Sequence, residues 1–180
     1  MIYFAYGANL NLQGMRYRCP KATKLMPYTL KDWRLSFGSV ATIQPAPGDS
    51  VDGALWIITD ECEQSLDTFE GYPTLYRKHY ITVDDHDIMF YAMNHDEPAE
   101  PSLGYLITIA EGYQDWGLPL ENLWEAVRTT QEEQYDLQWS TRSKRGKNDR
   151  GYASMVRVEP GYDLRNSDSM GDSYSYTDTI

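Results

Sequence analysis

The sequence predicts a mixed α+β domain followed by a polar C-terminal extension, and three observations carry that prediction. Short apolar runs broken by Gly, Pro and Asp fill most of the chain before residue 100, which is the pattern of strands and hairpins. One capped stretch of helical period interrupts them near residue 60, and two more follow residue 100. Beyond Gln138 the composition turns polar and basic, then rich in Ser, Asp, Gly and Tyr. The domain is assigned to residues 1–135 and the extension to residues 136–180, partly ordered or wrapping the domain. No internal repeat is present.

The elements follow in order. IYFAY is a short aromatic-rich run suited to a buried strand, and it breaks at Gly7. Asn9 or Asn11 can then cap a short helix through LQGMRYRC. From Ala22 to Ile58 the pattern is strand-like, clearest in TLKDWRLSF and GALWII, with PAPGDS as a turn between them. Thr59 and Asp60 are N-cap candidates for the helix DECEQSLDTFE. Helical spacing puts Cys62, Leu66, Phe69 and Glu70 on one face of that helix, the face expected to be buried, and Gly71 stops it. YRKHYITV and IMFYAM read as a hairpin with the polar tip DDHD, and HDEPAEP as a loop. Ser102 can cap a helix through GYLITIAEGY, and LPLENLWEAVRTTQEEQ forms another, opened by Pro119. In the extension, YASMVRVEPGY is the piece suited to partial order.

Hydrophobic residues at 41% and aromatics at 13% are globular rather than disordered composition. A net charge of -11 argues against a general nucleic-acid or anionic-membrane surface. It leaves open a pocket that holds a small anion on backbone amides. Cys19 and Cys62 are too few for a disulfide framework and lack metal-site spacing. The N-terminus lacks the features of a signal peptide, and no run approaches the length of a membrane span. A cytoplasmic protein, monomeric or homodimeric, is the expectation.

Candidate chemistry is sparse. Asp84, Asp85, His86 and Asp87, or His95, Asp96 and Glu97, offer metal-ligating types, but a solvated turn is the favoured reading at both places. The basic run from Arg142 to Arg150 can contact phosphate, although a solvated segment is favoured. No nucleophile elbow, P-loop or dinucleotide fingerprint occurs. Two places remain. YGANL, Tyr6 to Leu10, sits at a strand-to-helix junction where successive amides can face an anion or oxyanion, or simply form a tight turn. Glu70 is a carboxylate at the end of an apolar stripe. It either turns to solvent or pairs with Arg77 or Lys78, or it is desolvated, with a raised pKa suited to a general base.

YFAYGANLN, GALWII, LDTFEGYPTLYRK and PSLGYLITIAEGYQDWGLP, in that order, resemble the γ-glutamylcyclotransferase family, including its AIG2-like members, from about Ile2 to about Thr130. The resemblance implies a small mixed β-barrel flanked by helices, with the pocket at the barrel mouth. It implies catalysis by Glu70 of the Glu70–Gly71 pair. The implied substrate contacts are Tyr3, Tyr6, Gly7, Ala8, Asn9, Leu10 and Tyr105. Ala8 stands where the family usually carries serine; the change is harmless if the loop acts through amides and weakens binding if a hydroxyl contributes. The implied reaction releases 5-oxoproline and an amine from a γ-glutamyl substrate, with no cofactor and no metal. A non-catalytic binding module using the same pocket is the rival reading. The extension is read as a partner-docking segment or as a lid over the pocket.

Overall fold

A computed structural model describes residues 1–95 and 97–146. After β1 (Ile2–Ala5) the chain makes one 3-10 turn, Ala8–Leu10, and enters α1 (Leu12–Arg18). Two long strands follow, β2 (Thr23–Phe37) and β3 (Ala41–Ile57), then α2 (Asp60–Glu70). The hairpin of β4 (Tyr76–Val83) and β5 (His86–Met93) leads to α3 (Leu103–Trp116) and α4 (Leu120–Gly146). The strands form one sheet in the order β2-β3-β1-β5-β4. β1 runs parallel to β5, and the other neighbours are antiparallel. The mixed α+β expectation therefore holds, but the sheet is open. β2 and β4 are its edges, and among the described residues no ladder joins them to close a barrel.

Turn residues were legible, but their use differs at one place. PAPGDS lies inside β3 rather than reversing the chain. The pairing passes from Lys31↔Ser50 to Trp33↔Pro45, and the excess residues form a bulge. Asp32 at φ 63 and Gly48 at φ 90 supply its left-handed positions, and the Gly48 N–H donates to the Asp32 carboxylate at 2.9 Å. The reversal occurs between Phe37 and Ala41, where Ser39 has φ 68. At DDHD, Asp84 and Asp85 both take positive φ, as a two-residue hairpin turn requires. Those two residues therefore have a backbone role, and Asp87 accepts a hydrogen bond from Thr82 at 2.8 Å. Among the described residues no three His, Cys, Asp or Glu side chains gather into a metal-holding group. Asp96 lies outside the described residues.

The helices end where local chemistry says they should. Asn11, rather than Asn9, caps α1, its side-chain oxygen accepting from the Gly14 N–H at 2.8 Å. The Thr59 hydroxyl accepts from the Cys62 N–H at the start of α2, where Asp60, Glu61 and Glu63 also suit the helix dipole. Thr59→Ala should therefore lower stability by about 1 kcal/mol, read from the urea midpoint at unchanged slope. Gly71 closes α2 at φ 64 and donates to the carbonyls of Asp67 and Thr68.

Burial along α2 stops short of the prediction. Cys62 and Leu66 are buried, but Phe69 is 49% exposed. The Arg18 guanidinium lies 4.0 Å from its ring centroid, so a cation covers Phe69 in place of the core. α4 is longer than expected and passes through residue 135 as continuous helix. Among the described side chains its last buried residue is Thr130, and Glu133 and Gln134 still reach the domain, through Arg34 and the Glu100 N–H. The segment YASMVRVEPGY and the rest of residues 147–180 lie outside the described residues. No helix among those described is long and apolar enough to cross a membrane.

Candidate active site

The YGANL loop is held from below. Leu10 is fully buried and donates its amide to the Gly7 carbonyl at 3.0 Å. α3 passes directly against it at Gly112, where an added Cβ would sit 2.6 Å from the Leu10 Cβ and 2.7 Å from the Asn11 nitrogen. The Trp116 indole donates to the Leu10 carbonyl at 2.9 Å. Two carboxylates of α3 extend the clamp: Glu111 accepts from the Asn11 side chain and Asp115 from the Leu12 N–H. The loop is thus fixed to a helix about a hundred residues away in sequence.

Glu70, the last residue of α2, comes to this loop. The Asn9 amide nitrogen donates to Glu70 Oε1 at 2.6 Å and to the Tyr3 hydroxyl at 2.8 Å. Neither Arg77 nor Lys78 takes Glu70. Lys78 pairs instead with Asp67 and Glu63, about one and two turns back from Glu70 on α2. A narrow recess opens at Glu70, lined by Tyr3, Tyr6, Gly7, Ala8, Asn9 and Tyr105. Leu10 does not reach it.

The remaining walls are Tyr76, Tyr91 and Ala41, none singled out from sequence, and Phe69, expected there on the face of Glu70 but not as a site residue. Tyr76 lies within the quoted LDTFEGYPTLYRK and Tyr91 within IMFYAM, but only the β4–β5 register brings both to the recess. Arg18 was missed as well. It donates to the Ala8 carbonyl at 3.2 Å and tethers the loop to the end of α2.

Desolvation sets the electrostatics. Glu70 as a residue keeps partial exposure, but its carboxyl is buried where it lines the recess. Burial pushes its pKa up from the ordinary 4.5 to about 7, against the lowering effect of the Asn9 hydrogen bond and of Arg18. The same burial raises the Tyr105 hydroxyl to about 12 and holds Tyr3 and Tyr6 well above the usual phenol range. The tyrosines around the carboxyl therefore stay neutral, while Glu70 alone is poised to gain and lose a proton near neutrality. A larger groove of about 500 Å³ lies between the β2–β3 hairpin and α4, lined by Arg34, Asp49, Ser50, Asn122 and Glu125, and shares none of these groups.

A poised carboxyl beside a rigid amide-bearing loop is the equipment of an acid–base enzyme. Residues 3–116 match the family model described as gamma-glutamyl cyclotransferase, AIG2-like, and the chain belongs to that family of enzymes. It is 33% identical over 138 residues to the gamma-glutamylcyclotransferases of Bos taurus and Homo sapiens, spanning 67% of this chain and 73% of each relative. A solved gamma-glutamyl cyclotransferase structure superposes with a TM-score of 0.59 at 29% identity, covering 69% of this chain and 85% of that one.

Proposed function

We propose that this protein releases 5-oxoproline and an amine or amino acid from a γ-glutamyl substrate, with Glu70 as the general acid–base. The observation that carries the reading is the Glu70 carboxyl, desolvated in the recess and titrating near 7 beside the loop. The substrate's own α-amine is the nucleophile, which accounts for a site built without a Ser or Cys attacking group. Ring closure is intramolecular, so the protein's share is chiefly to fold the substrate and move protons.

Glu70 takes a proton from the α-ammonium, and the freed lone pair attacks the γ-carbonyl carbon. As the γ-carbon–nitrogen bond breaks, Glu70 gives its proton to the leaving nitrogen. Over the whole reaction the α-nitrogen loses two protons and the departing amine gains two, so Glu70 ends as it began. Amides of Gly7, Ala8 and Asn9 would receive the substrate carboxylate or the oxyanion, where one donor contributes roughly 3 kcal/mol. The Leu10 amide is already bound to Gly7, so it is left out of this role. Tyr3, Tyr6 and Tyr105 would orient the substrate from the walls.

Incubation with γ-glutamyl amino acids and γ-glutamyl amines, followed by mass spectrometry, should show 5-oxoproline. The rate should rise with pH through an inflexion near 7, as Glu70 loses its proton. An intact ligand retained without 5-oxoproline from any of these substrates would instead make the pocket a binding module.

A further inference from the structure

The Asn9 side chain is used on one side only. Its nitrogen donates to Glu70 and to Tyr3, the orientation that the amide must take while Glu70 is ionised, since a carboxylate only accepts. The oxygen, Oδ1, is then left over. It is buried with no hydrogen-bond partner among the described residues, on a residue that is 3% exposed and lines the recess. Native proteins rarely bury an acceptor without a use for it.

The surrounding hydroxyls narrow what that use can be. Tyr6 donates to the Tyr91 carbonyl, Tyr76 to the Ala41 carbonyl and Tyr91 to the Asp67 carboxylate. Their O–H hydrogens are therefore engaged with protein. What these three tyrosines, Asn9 Oδ1 and Glu70 leave for a ligand is oxygen lone pairs and ring faces. Tyr3 and Tyr105 only accept, from Asn9 Nδ2 and the Ala41 N–H, so their O–H hydrogens remain for substrate oxygens. The corner formed by the other three tyrosines, Asn9 Oδ1 and the ionised Glu70 offers acceptors and π-faces, which suits a cation that carries N–H donors.

We infer that Asn9, through Oδ1, holds the α-ammonium of the γ-glutamyl substrate beside Glu70. Asn9 is on this basis a substrate-contacting residue that orients the nucleophile and transfers no proton. One ammonium hydrogen bonds to Oδ1, another is directed to Glu70, and the substrate's carboxylate is left to the loop amides. The inference rests on the γ-glutamyl reading and sharpens it, since it requires a free α-amine on the substrate.

The test uses Glu70→Gln protein, in which ligands stay intact, and two ligands that differ only in the amine: γ-glutamylalanine and N-glutarylalanine. Calorimetry should show preference for the amine-bearing ligand. Adding Asn9→Leu should weaken γ-glutamylalanine roughly 10- to 100-fold while moving N-glutarylalanine by less than about threefold. Retained N-glutarylalanine binding itself reports that the variant is folded. Asn9→Asp in the same background restores an acceptor and should restore the preference. Equal weakening of both ligands by Asn9→Leu, an unchanged preference, or loss of both ligands in both variants would overturn the inference. Turnover by the unsubstituted protein is measured in parallel. Amine preference that depends on Asn9 without any 5-oxoproline would support the ammonium site and sink the cyclotransferase reading.

Discussion

Glu70→Gln should abolish 5-oxoproline release, by about 10²- to 10⁴-fold, while making the protein more stable at alkaline pH. The two effects share one cause. Glutamine keeps the shape of the side chain, and its carbonyl oxygen can still accept from Asn9, so the recess should stay assembled. What disappears is the group that titrates. In the folded protein Glu70 titrates near 7 and in the unfolded chain near 4.5, so between these values the folded state binds more protons. Stability therefore falls as pH rises across that window, and the full penalty is present above pH 7. The shift corresponds to at most about 3 kcal/mol, and removing the charge should recover much of it. Denaturation at pH 8.5 should show the variant more stable than the parent, and the difference should vanish near pH 4. A variant that is less stable at both values would mean that Glu70 is not desolvated. A variant that turns substrate over at the parental rate would remove Glu70 from the mechanism.

The second large effect is expected at Gly112→Ala, where two contributions have opposite signs. In a helix interior, alanine is favoured over glycine by about 1 kcal/mol. Against that, the new Cβ would fall 2.6 Å from the Leu10 Cβ and 2.7 and 2.9 Å from backbone atoms of Asn11 and Leu10. These are not the far ends of flexible side chains, so either α3 or the loop must move, at a typical cost of 1–3 kcal/mol. With backbone on the other side of the contact, the cost should win, and the variant should be less stable by up to about 2 kcal/mol. The loop carries Asn9 at its top, so displacement should also lower turnover. A control at Gly104, also in α3, where an added Cβ meets nothing within 4 Å, should show only the propensity gain. Stabilisation at both positions would refute the close packing of α3 on the loop.

Much of the fold was legible because its signals are local. Thr59 and Ser102 cap the helices they precede, and Gly71 ends α2 in the left-handed conformation. The polar tip at Asp84 and Asp85 reverses the β4–β5 hairpin. PAPGDS shows the limit of such reading, since a bulge and a chain reversal draw on the same residues. Only the pairing of β2 with β3 decides between them. Phe69 shows another limit: periodicity assigned it to a buried face, but the residue that covers it, Arg18, arrives from α1.

The sequence by itself determined the class of elements, their order, and two isolated suspects, a glycine-containing loop and a carboxylate ending an apolar stripe. Tertiary structure alone decided that the two meet, across 61 residues, in the Asn9–Glu70 hydrogen bond. It also decided that Lys78 bonds to Glu63 and Asp67 rather than to Glu70, and that Tyr76 and Tyr91 complete the walls. The reason is that caps, turns and amphipathic faces arise from neighbours within a few residues. Desolvation of a carboxyl is a property of everything packed around it, and that packing exists only after the chain has folded.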